Sequence, residues 1–167
     1  MATKPDLVMS DSQKGMTLIV KTVVRFAIGI IFMFGWYIIV YGHLTPGGGF
    51  AGGTILACGY VILTLAFGKD LALRKMSDMA ASIVDNSCAL LFVLIPIIGF
   101  AFGYFFLNFP PHGKPFHLVS AGLIPLYNII IGLKVTSSLF AIFIALSIFG
   151  RFVSKLVEEA EEAEEEE

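Results

Sequence analysis

One lysine lies inside a long apolar segment of this sequence and is well placed to do chemistry there. Lys134 follows the run PLYNIIIGL and lies roughly 13 Å along a helix from Pro125, at ~1.5 Å per residue. An ammonium group near mid-bilayer is unfavourable by ~2.5–3.5 kcal/mol or more, and such groups commonly mark ion or proton paths. Tyr127 and Ser138 share its helical face, seven residues before it and four after it, and Asn128 lies about a quarter-turn away. These four side chains form a polar stripe that predicts either an ion path or an inter-subunit contact.

The sequence predicts no acidic residue of this chain at the depth of Lys134. Residues 70–87 are amphipathic and mixed in charge, and we expect them to lie at the cytoplasmic membrane surface. Asp85 and Asn86 then mark the turn into the following span. A carboxylate for Lys134 would therefore come from another subunit. The alternative is that the lysine stem extends along the helix to the interface, without a role in transport.

A glycine-rich segment, residues 42–53 with the sequence GHLTPGGGFAGG, is the second candidate for chemistry. Six of its twelve residues are glycine, which leaves backbone N–H and C=O groups uncovered by side chains. In a bilayer, such backbone requires cover by protein or water, and it can offer carbonyls to a cation or N–H groups to an anion. The sequence leaves open whether residues 47–53 begin a helix or form a re-entrant loop. The residues of this signature loop are Gly42, His43, Thr45, Pro46, Gly47, Gly48, Gly49, Phe50, Gly52 and Gly53.

Long apolar segments position both candidate sites. Apolar residues make up 57% of the 167-residue chain and charged residues 14%, against ~25% charged residues in a soluble domain. Four segments approach or exceed the ~20 residues that cross a bilayer. The sequence therefore predicts an all-α membrane protein with four transmembrane helices over residues 23–41, 49–67, 88–107 and 123–149.

Charge is strongly segregated along the chain. With four spans, nine of the eleven Lys and Arg residues fall on the side that carries both termini, whereas Lys114 alone falls on the other. The positive-inside rule then places both termini in the cytoplasm and the protein in the cell membrane. All eight glutamates lie in the last ten residues. We predict a cytoplasmic segment over residues 1–16, a membrane domain over 17–152, and an acidic, solvated and mobile tail over 153–167.

The residues that commonly bind metals are not arranged for it. The histidines His43, His112 and His117 are all predicted on the outer side, without ligand spacing or a nearby carboxylate. Cys58 and Cys88 form no CxxC pair, which favours buried thiols over a disulfide or a metal site. We therefore expect no metal and no cofactor.

The segment GHLTPGGGFAGG resembles the G-H-x-x-P-G-G-G-F-x-G-G signature of the MnhB/MrpB family, one of the membrane components of Mrp-type multisubunit cation/proton antiporters. Residues 124–128 (IPLYN) and 131–135 (IGLKV) resemble that family's P-x-Y-N and G-L-K-V elements. The resemblance covers about residues 17–152. It implies a four-span subunit of a membrane complex that exchanges sodium for protons, or of the related ion-pumping module of membrane-bound hydrogenases. Its partners would be other antiporter subunits, hydrogenase-like redox subunits, the lipid bilayer and the ions Na⁺ and H⁺, with no nucleic acid.

Three functional interpretations follow. The chain is too poor in intramembrane charges to run an antiport cycle alone, so we expect a non-catalytic subunit that packs against others and contributes Lys134, with His43 at the boundary, to an ion path. The alternative is a purely structural scaffold whose glycines serve close helix packing. A stand-alone enzyme is disfavoured, because the sequence has no nucleophile–base pair, and GGG without a following Lys or Ser is not a phosphate loop.

Overall fold

The computed structural model describes residues 16–68, 77–105, 116–118 and 120–165. These ranges form four helices: α1 (Leu18–Tyr41), α2 (Gly49–Phe67), α3 (Asp78–Ala101) and α4 (Ile124–Glu165). Each contains a segment long and apolar enough to span a membrane. The prediction of an all-helical protein with four candidate membrane spans is thus confirmed for the described part of the chain.

Helix α3 begins ten residues earlier than predicted. Its N-cap is Ser77, whose hydroxyl accepts a hydrogen bond from the Ala80 backbone N–H at 3.1 Å, which satisfies one of the free N–H groups of the first turn. Asp85 and Asn86 therefore lie inside the helix, and the prediction that they mark a turn was wrong. Residues 70–76 of the predicted interfacial stretch lie outside the described residues.

Helix α4 is longer than its apolar segment. It continues as helix to Glu165, whereas its candidate membrane span is Ile124–Gly150. Alanine and glutamate are good helix formers, so the sequence after the span can continue the helix. The backbone of residues 153–165 is therefore helical rather than mobile as predicted, while its solvation remains a prediction.

Helix α2 lies between α1 and α4, and α3 packs on the other side of α4. Glycines allow the close approach on both faces of α2. A Cβ at Gly52 would lie 2.7 Å from the Gly35 carbonyl oxygen of α1, and a Cβ at Gly53 would lie 2.6 Å from the Gly132 carbonyl oxygen of α4. Small residues on α2 thus set the spacing of this three-helix layer.

The contacts also fix the direction of each helix relative to α4. Gly53 lies next to Gly132, and the rings of Tyr60 and Phe140 are 5.5 Å apart, so α2 runs parallel to α4. Helix α3 runs antiparallel to α4, because its later residues contact the earlier residues of α4. This register decides which polar residues meet.

Candidate functional site

Lys134 forms an ion pair with a residue of its own chain. Its Nζ donates to Asp85 Oδ1 at 2.8 Å, and the Ser138 hydroxyl donates to the same oxygen. The prediction that no acidic residue reaches the depth of Lys134 was wrong. Because α3 starts at Asp78, Asp85 lies two turns into the helix, and the antiparallel register brings it opposite Lys134.

The pair lies inside the apolar spans of both helices. Asp85 follows Met79, where the α3 span begins, by six residues, roughly 9 Å along the axis. Lys134 follows Ile124, where the α4 span begins, by ten residues, roughly 15 Å. Neither helix therefore carries its charged group at the end of its span, so both charges are held where ionised side chains are expensive unless they are paired.

The pair faces outward from the four-helix unit. The side chain of Lys134 is 42% exposed and that of Asp85 is 30% exposed in the chain alone. An ammonium group has three N–H donors, and among the described residues only Asp85 accepts from it. Two donors, together with the second carboxylate oxygen, remain available to a group outside this unit, such as water or a neighbouring subunit.

Two hydroxyls next to Lys134 serve the backbone instead. Thr136 is buried and donates to the carbonyl oxygens of Gly132 at 2.7 Å and Gly53 at 3.1 Å, which links α4 to α2. Ser137 is buried and donates to the Leu133 and Lys134 carbonyls within α4. Of the three consecutive hydroxyl residues, Ser138 is thus the one that completes the ion-pair site.

The signature loop is a tight turn that leads directly into a helix. Gly47 and Gly48 have φ angles of 148° and 113°, a region that favours glycine, and α2 begins at Gly49. The Thr45 hydroxyl donates to the Tyr41 carbonyl at the end of α1, at 3.1 Å. The question left open by the sequence is thereby answered, because residues 49–53 form the first turns of a transmembrane helix.

Asn128 packs against this turn from α4. A Cβ at Gly42 would lie 3.0 Å from its Nδ2, and a Cβ at Gly48 would lie 3.6 Å from its Oδ1. Side chains at these glycines would crowd the amide, so glycine allows Asn128 to fit between the ends of α1 and α2. Its Nδ2 is buried and has no hydrogen bond to the described part of the chain.

His43 and Tyr127 lie near the same end of the helices. The Nε2 atom of His43 is 3.5 Å from the His117 carbonyl oxygen, and its buried Nδ1 has no hydrogen bond within the described ranges. The ring of Tyr127 packs edge-on against Phe92 of α3, with centroids 5.2 Å apart. With Asp85 opposite Lys134, this contact fixes the antiparallel register of α3 and α4.

The predicted polar stripe therefore divides into two groups. Lys134 and Ser138 meet Asp85, whereas Tyr127, Asn128 and His43 lie roughly 10 Å away along α4 at ~1.5 Å per residue, at the turn end. Sequence reasoning missed two functional neighbours, Asp85 and Thr136. The signal for Asp85 was Ser77, whose capping position starts the helix early enough to carry Asp85 into the span.

No group of three His, Cys, Asp or Glu side chains suited to a metal occurs among the residues that the structure describes. His112 lies outside these residues. Cys58 is exposed and Cys88 is buried, and neither forms a disulfide.

Fold and site together define a helical integral membrane protein that holds a charged pair within its apolar region. Residues 19–152 match the family model described as "Domain related to MnhB subunit of Na+/H+ antiporter". The chain therefore belongs to this family, which confirms the resemblance carried by the signature loop.

Two relatives illustrate the range of the family. The chain is 33% identical over 135 residues to the Na⁺/H⁺ antiporter protein of Bacillus subtilis that is named as its B-type subunit, covering 75% of this chain and 93% of the relative. It is 31% identical over 150 residues to an uncharacterised protein of Methanocaldococcus jannaschii, covering 86% of this chain. The chain spans 55% of the length of that archaeal relative.

A solved structure shows a similar arrangement. It is a chain of the membrane-bound sulfane sulfur reductase, described as an archaeal respiratory membrane complex. The match has a TM-score of 0.62 and 28% identity, and covers 79% of this chain and 61% of the solved chain. Similar chains thus occur in a sodium/proton antiporter and in a respiratory complex.

Proposed function

We propose that this chain is a non-catalytic membrane subunit of a multisubunit Na⁺/H⁺ antiporter, or of the antiporter-like ion-pumping module of a respiratory complex, and that Lys134 belongs to the ion path. The observation that carries the proposal is the ion pair of Lys134 with Asp85, held within two apolar spans and open to one side. The family relationship and the Bacillus antiporter relative support the setting. The chain lies in the cell membrane with both termini in the cytoplasm, as the distribution of Lys and Arg indicates.

The geometry suits a pair that opens and closes during transport. When closed, the ammonium neutralises the carboxylate, so the site presents little net charge to the membrane interior. The lysine ammonium is carried on a flexible four-carbon stem and can move to an acceptor on a neighbouring subunit. Asp85 would then be free to bind a proton or Na⁺, with the Ser138 hydroxyl as an additional oxygen ligand.

The turn end of the site supplies a second polar region. His43, Tyr127 and Asn128 bring titratable and amide groups to the Gly42–Gly48 turn, and two buried nitrogen atoms there have no acceptor or donor within the described residues. We propose that this region contacts water or a neighbouring subunit and leads toward the ion pair. Tyr127 and Lys134 both face α3, so the route would follow the α3–α4 interface.

The transport role is tested by Lys134→Met in the assembled complex. We expect sodium-driven proton movement in inverted membrane vesicles to fall at least about tenfold, equivalent to ~1.4 kcal/mol, while the complex remains intact. Lys21→Met is the matched control, since this lysine lies in the first turn of α1, away from the ion pair. Normal exchange by an intact Lys134→Met complex would exclude Lys134 from the ion path.

The setting is tested by purifying the complex in mild detergent through a tag on this chain. Co-purification of antiporter subunits alone identifies an antiporter. Co-purification of a hydrogenase-like or iron–sulfur subunit identifies the module of a respiratory complex. A lone four-helix protein would contradict both.

The second candidate function is a purely structural scaffold. It is favoured by the close glycine contacts of α2 with both α1 and α4, which need no ion to explain them. A scaffold predicts that substitutions in the turn disassemble the complex, whereas substitutions of Lys134 leave exchange unchanged.

A further inference from the structure

Helix α4 extends well beyond the rest of the described bundle. The contacts of Gly53 with Gly132 and of Tyr60 with Phe140 place the last residue of α2, Phe67, level with about residue 146 of α4. From that level to Glu165, the helix projects roughly 28 Å at 1.5 Å per residue. Helix α1 begins at this end too, because the Met16 backbone N–H donates to the Ala66 carbonyl near the end of α2.

The extension carries an apolar stripe that nothing in the described structure covers. Phe152, Val153, Leu156 and Val157 lie on one helical face and are between 40% and 59% exposed. The stripe lies after the apolar span, which ends at Gly150. A contiguous exposed apolar face of this kind is typical of a surface that binds another molecule.

The same extension is strongly acidic. Residues 151–167 contain eight glutamates against Arg151 and Lys155, a net charge of 8 − 2 = 6 negative charges. Like charges four residues apart destabilise a helix, and negative charges at its C-terminal end oppose the helix dipole. A positively charged partner would remove both penalties. Anionic lipid headgroups would add to them, so the lipid surface is a poor occupant.

The chain itself offers too little positive charge to fill this role. Residues 69–76, which connect α2 to α3, contain three Lys and Arg residues and one Asp, a net charge of 3 − 1 = 2. Residues 1–15 contain two Lys and two Asp, a net charge of zero. Together they balance one third of the charge of the extension, so the partner must come from another chain.

We propose that residues 151–165 form a docking helix for a basic surface of a partner protein outside the membrane. The apolar stripe would fit a groove on that partner, and the charge of the glutamates would attract Lys and Arg residues around the groove. This role is separate from the ion path, since the extension begins after the apolar span and roughly 25 Å along α4 from Lys134 at 1.5 Å per residue.

The test is site-specific photo-crosslinking in the full complex in its native membrane. A benzophenone amino acid at Leu156 is compared with the same group at Leu146, which is 65% exposed but lies within the span. We expect Leu156 to crosslink to a segment of another protein rich in Lys and Arg, and Leu146 to crosslink to lipid or transmembrane helices.

A second variant tests the charge. Replacement of all eight glutamates by glutamine keeps a good helix former, and we expect the crosslink at Leu156 to fall at least about tenfold, the effect of ~1.4 kcal/mol. Raising the salt to 1 M, where the Debye length falls to ~3 Å, should weaken the wild-type crosslink in the same direction. Crosslinks from Leu156 only to lipid or to this chain, or a yield unchanged by the glutamine variant, would overturn the proposal.

Discussion

Gly53 lies where α2 and α4 approach most closely, and Gly53→Ala tests how strictly this crossing requires a hydrogen atom. A Cβ at this position would lie 2.6 Å from the Gly132 carbonyl oxygen and 2.9 Å from Val135 Cβ. Carbon atoms pack favourably at ~3.5–4.0 Å, so the helices would have to separate by roughly 0.6–1 Å. The carbonyl belongs to the helix backbone and cannot rotate away, and separation would also lengthen the hydrogen bond from Thr136 to the Gly53 carbonyl.

The magnitude follows from two opposing terms. Overpacking a well-packed interface destabilises by ~1–3 kcal/mol, whereas alanine in place of glycine within a helix stabilises by ~1 kcal/mol. Because the clash is with rigid backbone, we expect a net loss of about 2 kcal/mol. At ~2–4 °C per kcal/mol this lowers the thermal midpoint of the detergent-purified chain by about 4–8 °C, measured by circular dichroism.

Gly29→Ala is the matched control for this prediction. Gly29 lies inside α1, and a Cβ there would meet nothing within 4 Å. The control should therefore be neutral or slightly stabilising, by up to ~1 kcal/mol. A Gly53→Ala midpoint equal to or above that of wild type would refute close packing at the α2–α4 crossing.

Two further predictions concern the turn and the start of α3. Gly48→Val places a branched residue at a φ of 113° beside Asn128, and we expect impaired exchange and weaker assembly, measured by vesicle transport and native electrophoresis, whereas Pro46→Ala at the exposed edge of the turn should have the smaller effect. Ser77→Ala removes the N-cap of α3 and should lower stability by ~1 kcal/mol; Ser77→Asp should restore it, and an unchanged thermal midpoint in the alanine variant would contradict the capping role.

The sequence was sufficient to predict the parts of the fold that depend on local patterns. The bounds of α2 agree with the prediction, because a glycine-rich turn precedes its apolar run and Gly68 follows it. The importance of Lys134 was also predictable, since one ammonium group in an apolar run needs a partner wherever the neighbouring helices lie.

The partner of Lys134 was not predictable, because it depends on where α3 starts and on its register against α4. An amphipathic stretch that contains Asp70, Asp78 and Asp85 is equally typical of an interfacial helix, and a single capping serine decides where α3 begins. The helical extension was missed for a related reason. Its charge predicts repulsion between side chains, while its alanines and glutamates individually favour helix, and the balance depends on context.

Replacement of the ion pair by two apolar residues, Lys134→Met with Asp85→Leu, separates transport from structure most directly. An apolar pair often matches or exceeds a buried ion pair in stability, so we expect the complex to assemble normally. If the pair serves ion movement, the assembled double variant will show no sodium-driven proton exchange. Exchange at the wild-type rate in that complex would show that Lys134 and Asp85 only hold α3 against α4, and would contradict the proposed ion path.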